Sequence, residues 1–292
     1  MRGVADSRAA AAVRIARAAG LAVVLAAAST ACAPKVRLSL PAGEGTPISD
    51  IAPVEAAARA SCRAPDALTA DLRLSGRIDG ERVRGTLQVG VARDAMRLEG
   101  LAPFGAPVFV IAARPSEAVL LLPRETAVAR APSASDLLDA VVGVPLSPAD
   151  LLAIVSGCGL AAWEARGGAR FGEDWARLDV DDGRRLWLRS GRTSGGGRGE
   201  ATGPGGSGVP VIVAAEDGRW RIEYVRDGAG WPTAIRLQGM GAEARRTDAV
   251  FAVDAPEALD ALPSGALDVD VPAGARSISL QDLRTRRDLA DR

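Results

Sequence analysis

The stretch LTADLRLSGRIDGERVRGTLQVGV, residues 68–91, decides the fold. Apolar residues alternate with polar or small ones over 68–78, and the alternation resumes over 83–91. The dipeptide Asp79-Gly80 between the two runs is typical of a two-residue hairpin turn. Since successive side chains of a strand point to opposite faces, period-two alternation indicates one buried face. The stretch therefore predicts a β-hairpin with one apolar face.

Short apolar runs separated by turn signals continue on the C-terminal side of this hairpin. They predict strands over 96–98, 108–112, 119–122, 125–130, 175–180, 186–188, 211–215, 220–225, 234–237 and 250–253, and an edge strand over 267–271. Adjacent short strands of this kind are typical of an antiparallel sandwich or barrel. The fold is thus predicted to be mainly β.

Between these two groups of strands the apolar period becomes helical. Ser135-Asp136 is predicted to cap a helix that Gly143 ends, and Ser147 with Pro148 to begin a second one that ends before Gly157. The second helix is apolar almost all round, so it must be covered on most sides or line an apolar space. Two further short helices are predicted, an Ala-rich one that ends at Cys62 and one over 279–284.

Composition excludes several classes of function. Of 292 residues, 36 are basic and 36 acidic, so no basic field favours nucleic acid as a partner. Histidine is absent and there are three cysteines, which excludes His-based triads and four-thiolate zinc sites. Adjacent carboxylates at Glu173-Asp174 and Asp181-Asp182 are typical of solvated turns. We therefore expect no metal, no cofactor and no enzymatic activity.

The N-terminus has the parts of an export signal. Arginines precede an apolar stretch over 18–28, which is too short to span a bilayer, and small residues lead to Cys32. Residues 28–32 resemble a bacterial lipobox, which implies a lipoprotein signal peptide over 1–31 and acylation of Cys32. The alternative is an ordinary signal peptide followed by an unmodified cysteine.

The rest of the chain divides by composition. Prolines and glycines over 32–53 predict a flexible tether, and the folded domain is expected over 54–284. Within it, the Gly-rich residues 190–208 predict a disordered insertion, and 285–292 a polar tail.

Two motifs carry a resemblance to a known family. Ala102-Pro103-Phe104-Gly105 joins two predicted strands, and GVPLSPADLLAIVSG, residues 143–157, joins and includes the predicted helices. In this order they resemble the LolA/LolB type, in particular the LolB-like outer-membrane lipoproteins, over residues 66–255. The resemblance implies a strongly curved, half-open antiparallel barrel covered by short helices.

The resemblance also implies a function. Such a barrel holds acyl chains of lipoproteins on their way into the outer membrane, and a periplasmic carrier protein docks on it. Ala33 after the cysteine, where the family's retention signal would be Asp, implies placement in the outer membrane, facing the periplasm. The turn with Leu101 and Phe104 would insert into the membrane, the alternative being an ordinary buried turn phenylalanine.

The residues expected to line the acyl cavity are apolar positions of the strands and both helices. They are Leu72, Leu74, Leu87, Val89, Met96, Leu98, Val110, Leu120, Leu137, Leu138, Val141, Leu151, Leu152 and Val155. Because cavity linings and cores have the same composition, the pattern leaves a filled β-core as the alternative. In that case the protein is a structural or accessory envelope lipoprotein that binds another protein and carries no lipid.

Once Cys32 is acylated, Cys62 and Cys158 remain as a pair. Export to an oxidising compartment permits a disulfide between them. The bridge would join the Ala-rich helix to the second of the two helices that end at Gly143 and before Gly157. We call these two the lid helices, or the lid, because the resemblance implies that they cover the barrel. The alternative is two free thiols buried as small hydrophobes.

Overall fold

The structure, a computed structural model, describes residues 38–290 except 63, 79, 191–209 and 242–246; of 182 and 287–290 it describes the backbone only. The predicted signal peptide over 1–31, the acylation site Cys32 and residues 191–208 of the predicted insertion lie outside the described residues.

The described strands form one large curved, unclosed sheet. They are β1 (Thr46–Pro47), β2 (Ala67–Ile78), β3 (Glu81–Ala92), β4 (Met96–Leu101), β5 (Pro107–Arg114), β6 (Glu117–Leu122), β7 (Ala127–Ala131), β8 (Ala165–Phe171), β9 (Trp175–Val180), β10 (Arg185–Arg189), β11 (Val211–Glu216), β12 (Trp220–Arg226), β13 (Pro232–Gly239), β14 (Asp248–Leu259) and β15 (Arg276–Ser277). Their order is β1-β8-β9-β10-β11-β12-β13-β14-β2-β3-β4-β5-β6-β7-β15. The predicted mainly-β, half-open fold is confirmed.

The predicted hairpin is the centre of this sheet. β2 and β3 pair along 12 residues each, from Ala67 opposite Ala92 to Ile78 opposite Glu81. β14 returns along the other edge of β2, with Phe251 opposite Leu74. The pairing of β14 with β2 therefore joins the strands before the helices to those after them in a single sheet.

The two faces of the sheet differ in what covers them. We call the face that carries Leu72, Val89, Leu98 and Leu120 the inner face, since these side chains pack in one apolar cluster with the helices. The opposite, outer face carries alternate residues such as Glu99, which is paired with Gln88. The apolar side chains of these strands thus lie on the face that the helices cover, as the period-two alternation predicts.

Four described helices contribute buried side chains to the inner cluster. They are α1 (Ala52–Ser61), α2 (Ala134–Val142), α3 (Pro148–Val155) and α4 (Leu280–Ala290). Ser147 caps α3, as predicted, and together with Asp150 it forms a capping box. The predicted cap Ser135 of α2 is wrong: the cap is Ser133, whose side chain accepts from the Asp136 amide.

Both ends of the described chain lie differently from the sequence-based expectation. Within the stretch predicted as a tether, β1 pairs with β8, and the Ile48 amide donates to the Gly168 carbonyl at 3.0 Å. The predicted edge strand over 267–271 is absent from the described residues. Its backbone crosses the outer face instead, where Arg97 donates to the carbonyls of Ala266 and Asp268 at 3.2 and 2.9 Å. The alternation at 267–271 therefore marks one half-buried side of a crossing segment, and α4 extends into the predicted polar tail.

Candidate functional site

The predicted lining residues on the inner face form two groups by exposure. The buried ones pack in the inner cluster: Leu72, Val89, Met96, Leu120, Leu137, Leu138, Leu152 and Val155. The half-buried ones are Leu74, Leu87, Leu98, Val141 and Leu151. A side chain such as Met96 or Leu137, at 0% exposure, presents no surface to a ligand. In this conformation only the half-buried group offers apolar surface to an incoming chain.

One predicted lining residue lies on the wrong face. Val110 is opposite Glu99 and Leu121 on the outer face, whereas Ile111 is opposite Leu98 and Leu120 on the inner face. The prediction for Val110 is therefore wrong. Residues 108–112 are apolar on both faces, so the alternation that identifies the inward residue elsewhere is missing there.

A disulfide fixes the C-terminal end of helix α3. Cys62 follows α1 and Cys158 lies shortly after α3; their sulfurs are bonded and their Cα atoms are 5.0 Å apart, within the range that a disulfide requires. The predicted pairing is confirmed, and the alternative of two free thiols is wrong. The bridge joins the segment before the first long strand to the end of the lid.

Arg226 holds the same end of α3 to the sheet. Its guanidinium donates to the Gly157 carbonyl, to the Ile212 carbonyl at 2.8 Å and to the Gly230 carbonyl at 2.7 Å. Burial lowers the pKa of Arg226, and burial likewise raises the pKa of the neighbouring Tyr224 phenol. Sequence reasoning missed Arg226, since an arginine at the end of a strand pattern normally indicates a solvated position.

Helix α2 is not held by a disulfide among the described residues. Gly143, in the left-handed region at φ 70°, ends it as predicted. On its far side, Arg284 of α4 lies 3.1 Å from the Asp139 carboxylate, and both side chains are more than a third exposed. Buried Leu283 adds an apolar contact from α4 to the inner cluster. The two lid helices are therefore held very differently.

The β4–β5 turn projects one aromatic side chain into solvent. The Gly105 amide donates to the Ala102 carbonyl at 2.9 Å, and Gly105 adopts φ 80°, which favours glycine. Phe104, at the tip, is 103% exposed, so the alternative of a buried turn phenylalanine is wrong. Leu101 is half-buried and ends β4 opposite Pro107, which places it in the sheet and not at the tip.

The turn rests on a close contact at its base. A Cβ added to Gly100 would lie 2.2 Å from the Phe109 ring, so only glycine fits beside that ring. Phe109 in turn packs against the inner cluster. Phe104 therefore projects from a hydrogen-bonded turn that is seated on the core.

The outer face contains a buried charged network that the sequence pattern did not reveal. Arg236 binds both carboxylate oxygens of Asp248 at 2.8 Å and lies 3.4 Å from Glu223, which is 1% exposed. Its hydrogen bonds to Asp248 raise the pKa of Arg236. The Leu38 amide donates to Glu223 at 3.3 Å, so the segment after the undescribed N-terminus covers this network. Alternation over 220–226 predicts solvated polar residues, whereas Glu223 is buried here and bound by the backbone of Leu38, a residue remote in sequence.

The acidic pairs noted in the sequence lie at turns or strand ends. Glu173 and Asp174 are exposed between β8 and β9, and Asp181 forms an ion pair with Arg166. In the part of the chain that the structure describes, no group of three or more Cys, Asp or Glu side chains is placed to hold a metal ion. None of the described helices combines the length and the apolar character needed to cross a membrane.

Comparison with known proteins gives structural neighbours at low identity. No family model matches the chain, and no curated protein matches it. A LolA superfamily protein from Nitrosomonas europaea is 13% identical, with a TM-score of 0.48, over 75% of this chain and 97% of the other. A DUF1329 family protein from Desulfovibrio piger is 11% identical, with a TM-score of 0.45, over 74% and 97%.

A further neighbour is an outer membrane lipoprotein-sorting protein domain from Vibrio parahaemolyticus. It is 8% identical, with a TM-score of 0.42, over 74% of this chain and 95% of the other. Each of the three matches covers about three quarters of this chain. At these identities and TM-scores they carry no conclusion about what this chain binds.

Proposed function

We propose that this protein is a periplasm-facing outer-membrane lipoprotein, acylated at Cys32, that holds acyl chains of lipoproteins against its inner face and assists their insertion into the membrane. The observation that carries the proposal is the exposed Phe104 at the tip of a core-seated turn, on a sheet whose inner face is apolar. No catalytic group takes part in this function.

The proposal follows from the cost of exposing an acyl chain to water. At about 0.8 kcal/mol per CH₂, a sixteen-carbon chain needs on the order of 12 kcal/mol of apolar shelter. The half-buried Leu87, Leu98, Val141 and Leu151 offer the first contacts for such a chain. Movement of α2 would add the buried residues beneath it, because α2 has the weaker attachment of the two lid helices.

Phe104 supplies a weak, reversible membrane contact in this proposal. Burying one phenylalanine side chain stabilises by about 1.5–3 kcal/mol, enough to orient the turn at a bilayer but too little to hold the protein there. Such a contact suits a protein that releases cargo into the membrane. A periplasmic carrier protein would supply the cargo.

One observation favours a second candidate function. Met96, Leu137 and Val155 are at most 1% exposed, which is the packing of a filled core. An accessory envelope lipoprotein with this core would bind another protein through its surface and carry no lipid.

Fatty-acid binding and transfer separate the two candidates. We expect the full chain to bind a fluorescent fatty acid stoichiometrically, and Leu151→Glu to weaken binding by placing a charge among the first apolar contacts. Phe104→Glu is expected to keep binding but lose transfer of the fatty acid to vesicles, since a charge is costly in the acyl region. Val142→Glu, at another exposed apolar residue, is the matched control.

Two results would contradict the carrier proposal. Absence of saturable fatty-acid binding in the parent chain would favour the accessory lipoprotein with a filled core. Unchanged transfer by Phe104→Glu would remove the turn from the mechanism. Circular dichroism of each variant checks that a loss of binding is not a loss of folding.

A further inference from the structure

Three exposed arginines near the Phe104 turn have no ion-pair partner among the described residues. They are Arg82 and Arg84 on β3 and Arg124 in the short turn between β6 and β7. Most other exposed arginines of the described chain do pair, for example Arg73 with Asp254 at 2.9 Å and Arg130 with Glu117 at 2.6 Å. Arg77 of the same hairpin is also exposed without an ion pair in the described part of the chain, and Arg170 and Arg219 are too, but those two lie elsewhere in the sheet. Four of these six arginines therefore lie in the β2–β3 hairpin or beside the β4–β5 turn.

Strand register places these arginines on both sides of Phe104. The last β3–β4 pair is Thr86 opposite Leu101, so β3 continues for five residues beside the turn that follows Leu101. At about 3.3 Å per residue, this extension reaches about 17 Å past the end of β4. Continuing the register, Arg84 lies level with Pro103. On the other side, Val110 is opposite Leu121, which brings Arg124 level with the start of β5.

The β2–β3 hairpin carries positive charge that no described carboxylate neutralises. Arg77 and Arg82 are directly opposite each other and exposed, an arrangement of like charges that destabilises a strand pair. Asp248 lies opposite Arg77, but Arg236 already binds both of its oxygens at 2.8 Å. Glu81 is next to Arg82 in the strand and so projects from the opposite face. An anion from outside the chain would relieve this repulsion.

From this placement we propose that Arg82, Arg84 and Arg124 bind the phosphate groups of anionic phospholipids while Phe104 enters the acyl region beneath them. This inference rests on the proposed membrane contact of Phe104 and adds the class of lipid that the turn selects. Guanidinium groups bind phosphate oxygens in a bidentate manner, and an anionic membrane surface attracts clustered arginines. An apolar tip flanked by cations matches the two layers of such a surface, acyl chains below and headgroups above.

Vesicle flotation tests the headgroup preference. The full chain carrying Cys32→Ser is mixed with vesicles of phosphatidylcholine, or with vesicles in which phosphatidylglycerol replaces a third of it. We expect the phosphatidylglycerol vesicles to bind more protein, with a preference that falls as salt is added. Arg82→Ser with Arg84→Ser should lower that preference by about fivefold per arginine. Arg170→Ser is the matched control, since Arg170 is exposed on β8, far along the sheet order.

The outcomes separate this inference from the proposed function. Equal binding to both vesicle compositions, or an equal loss in Arg170→Ser, would overturn the headgroup site. The three arginines would then suit an acidic protein surface. Phe104→Glu should lower binding to both compositions, whereas the arginine variants should affect only the anionic one. Fatty-acid binding, measured on the same variants, should not change. Absence of fatty-acid binding in the parent chain would overturn the carrier function and leave the headgroup site untouched.

Discussion

Helices α2 and α3 cover the same inner face but are held by different forces. The end of α3 is joined covalently to the segment after α1 through Cys62–Cys158, and Arg226 binds the carbonyl of Gly157 beside it. α2 depends on apolar packing and on an exposed ion pair between Arg284 and Asp139. Exposed ion pairs contribute about 0–1 kcal/mol, whereas a disulfide contributes several. The lid should therefore open at α2 while the end of α3 stays in place.

Removing the disulfide should have the largest effect on this contrast. Cys62→Ala with Cys158→Ala opens a loop of sequence separation 96. In the chain-entropy model this lowers the free energy of unfolding by about 4–5 kcal/mol, and measured losses are often smaller. Urea denaturation measures the change, with Cys32→Ala as the control for loss of a cysteine. A denaturation midpoint equal to that of the parent would show that the bridge does not stabilise the lid.

Removing Arg226 should have an intermediate effect. Arg226→Met leaves the carbonyls of Gly157 and Ile212 without this donor, which should lower the free energy of unfolding by about 3 kcal/mol. Hydrogen exchange of the α3 amides should quicken more than that of the α2 amides. Arg170→Met, at an exposed arginine, should change neither quantity. Equal quickening in both helices would mean that the lid opens as one unit.

Breaking the ion pair of α2 should have the smallest effect on stability. Arg284→Ala should lower the free energy of unfolding by less than about 1 kcal/mol, since both partners are partly exposed. It should nonetheless speed hydrogen exchange in α2 and leave α3 unchanged. Arg286→Ala, which removes a neighbouring α4 pair with Glu125 instead, is the control. Slower exchange in α2 than in α3 would reverse the proposed order of opening.

The local sequence pattern was sufficient to predict an element where one of its faces is buried and the other is exposed to solvent. Strand β9 matches its predicted bounds, 175–180, and the hairpin over 68–91 reverses direction between Ile78 and Glu81, as predicted. Ser147 and Gly143 mark helix boundaries because caps satisfy the backbone groups that a helix leaves unpaired. The pairing of Cys62 with Cys158 followed from the predicted export to an oxidising compartment and from the number of cysteines that remain once Cys32 is acylated.

Local pattern failed where both faces are buried or where a distant segment supplies the cover. Val110 was misplaced because its strand is apolar on both faces, and residues 267–271 alternate because one side lies on the outer face. β8 contains two glycines and two arginines among its seven residues, so its apolar alternation is too weak to predict a strand.

The sequence by itself therefore determined most of the strands, the end of α2 at Gly143, the start of α3 at Ser147 and the identity of the disulfide pair, since each depends on neighbours within a few residues or on the cysteine count. Only the tertiary structure decided which apolar residues remain accessible, that Phe104 is fully exposed, and that Arg226 of β12 binds the Gly157 carbonyl at the end of α3. Those properties depend on which segments, remote in sequence, cover a given side chain. The burial of a side chain depends on all the segments packed around it, so it cannot be predicted from the alternation within one strand.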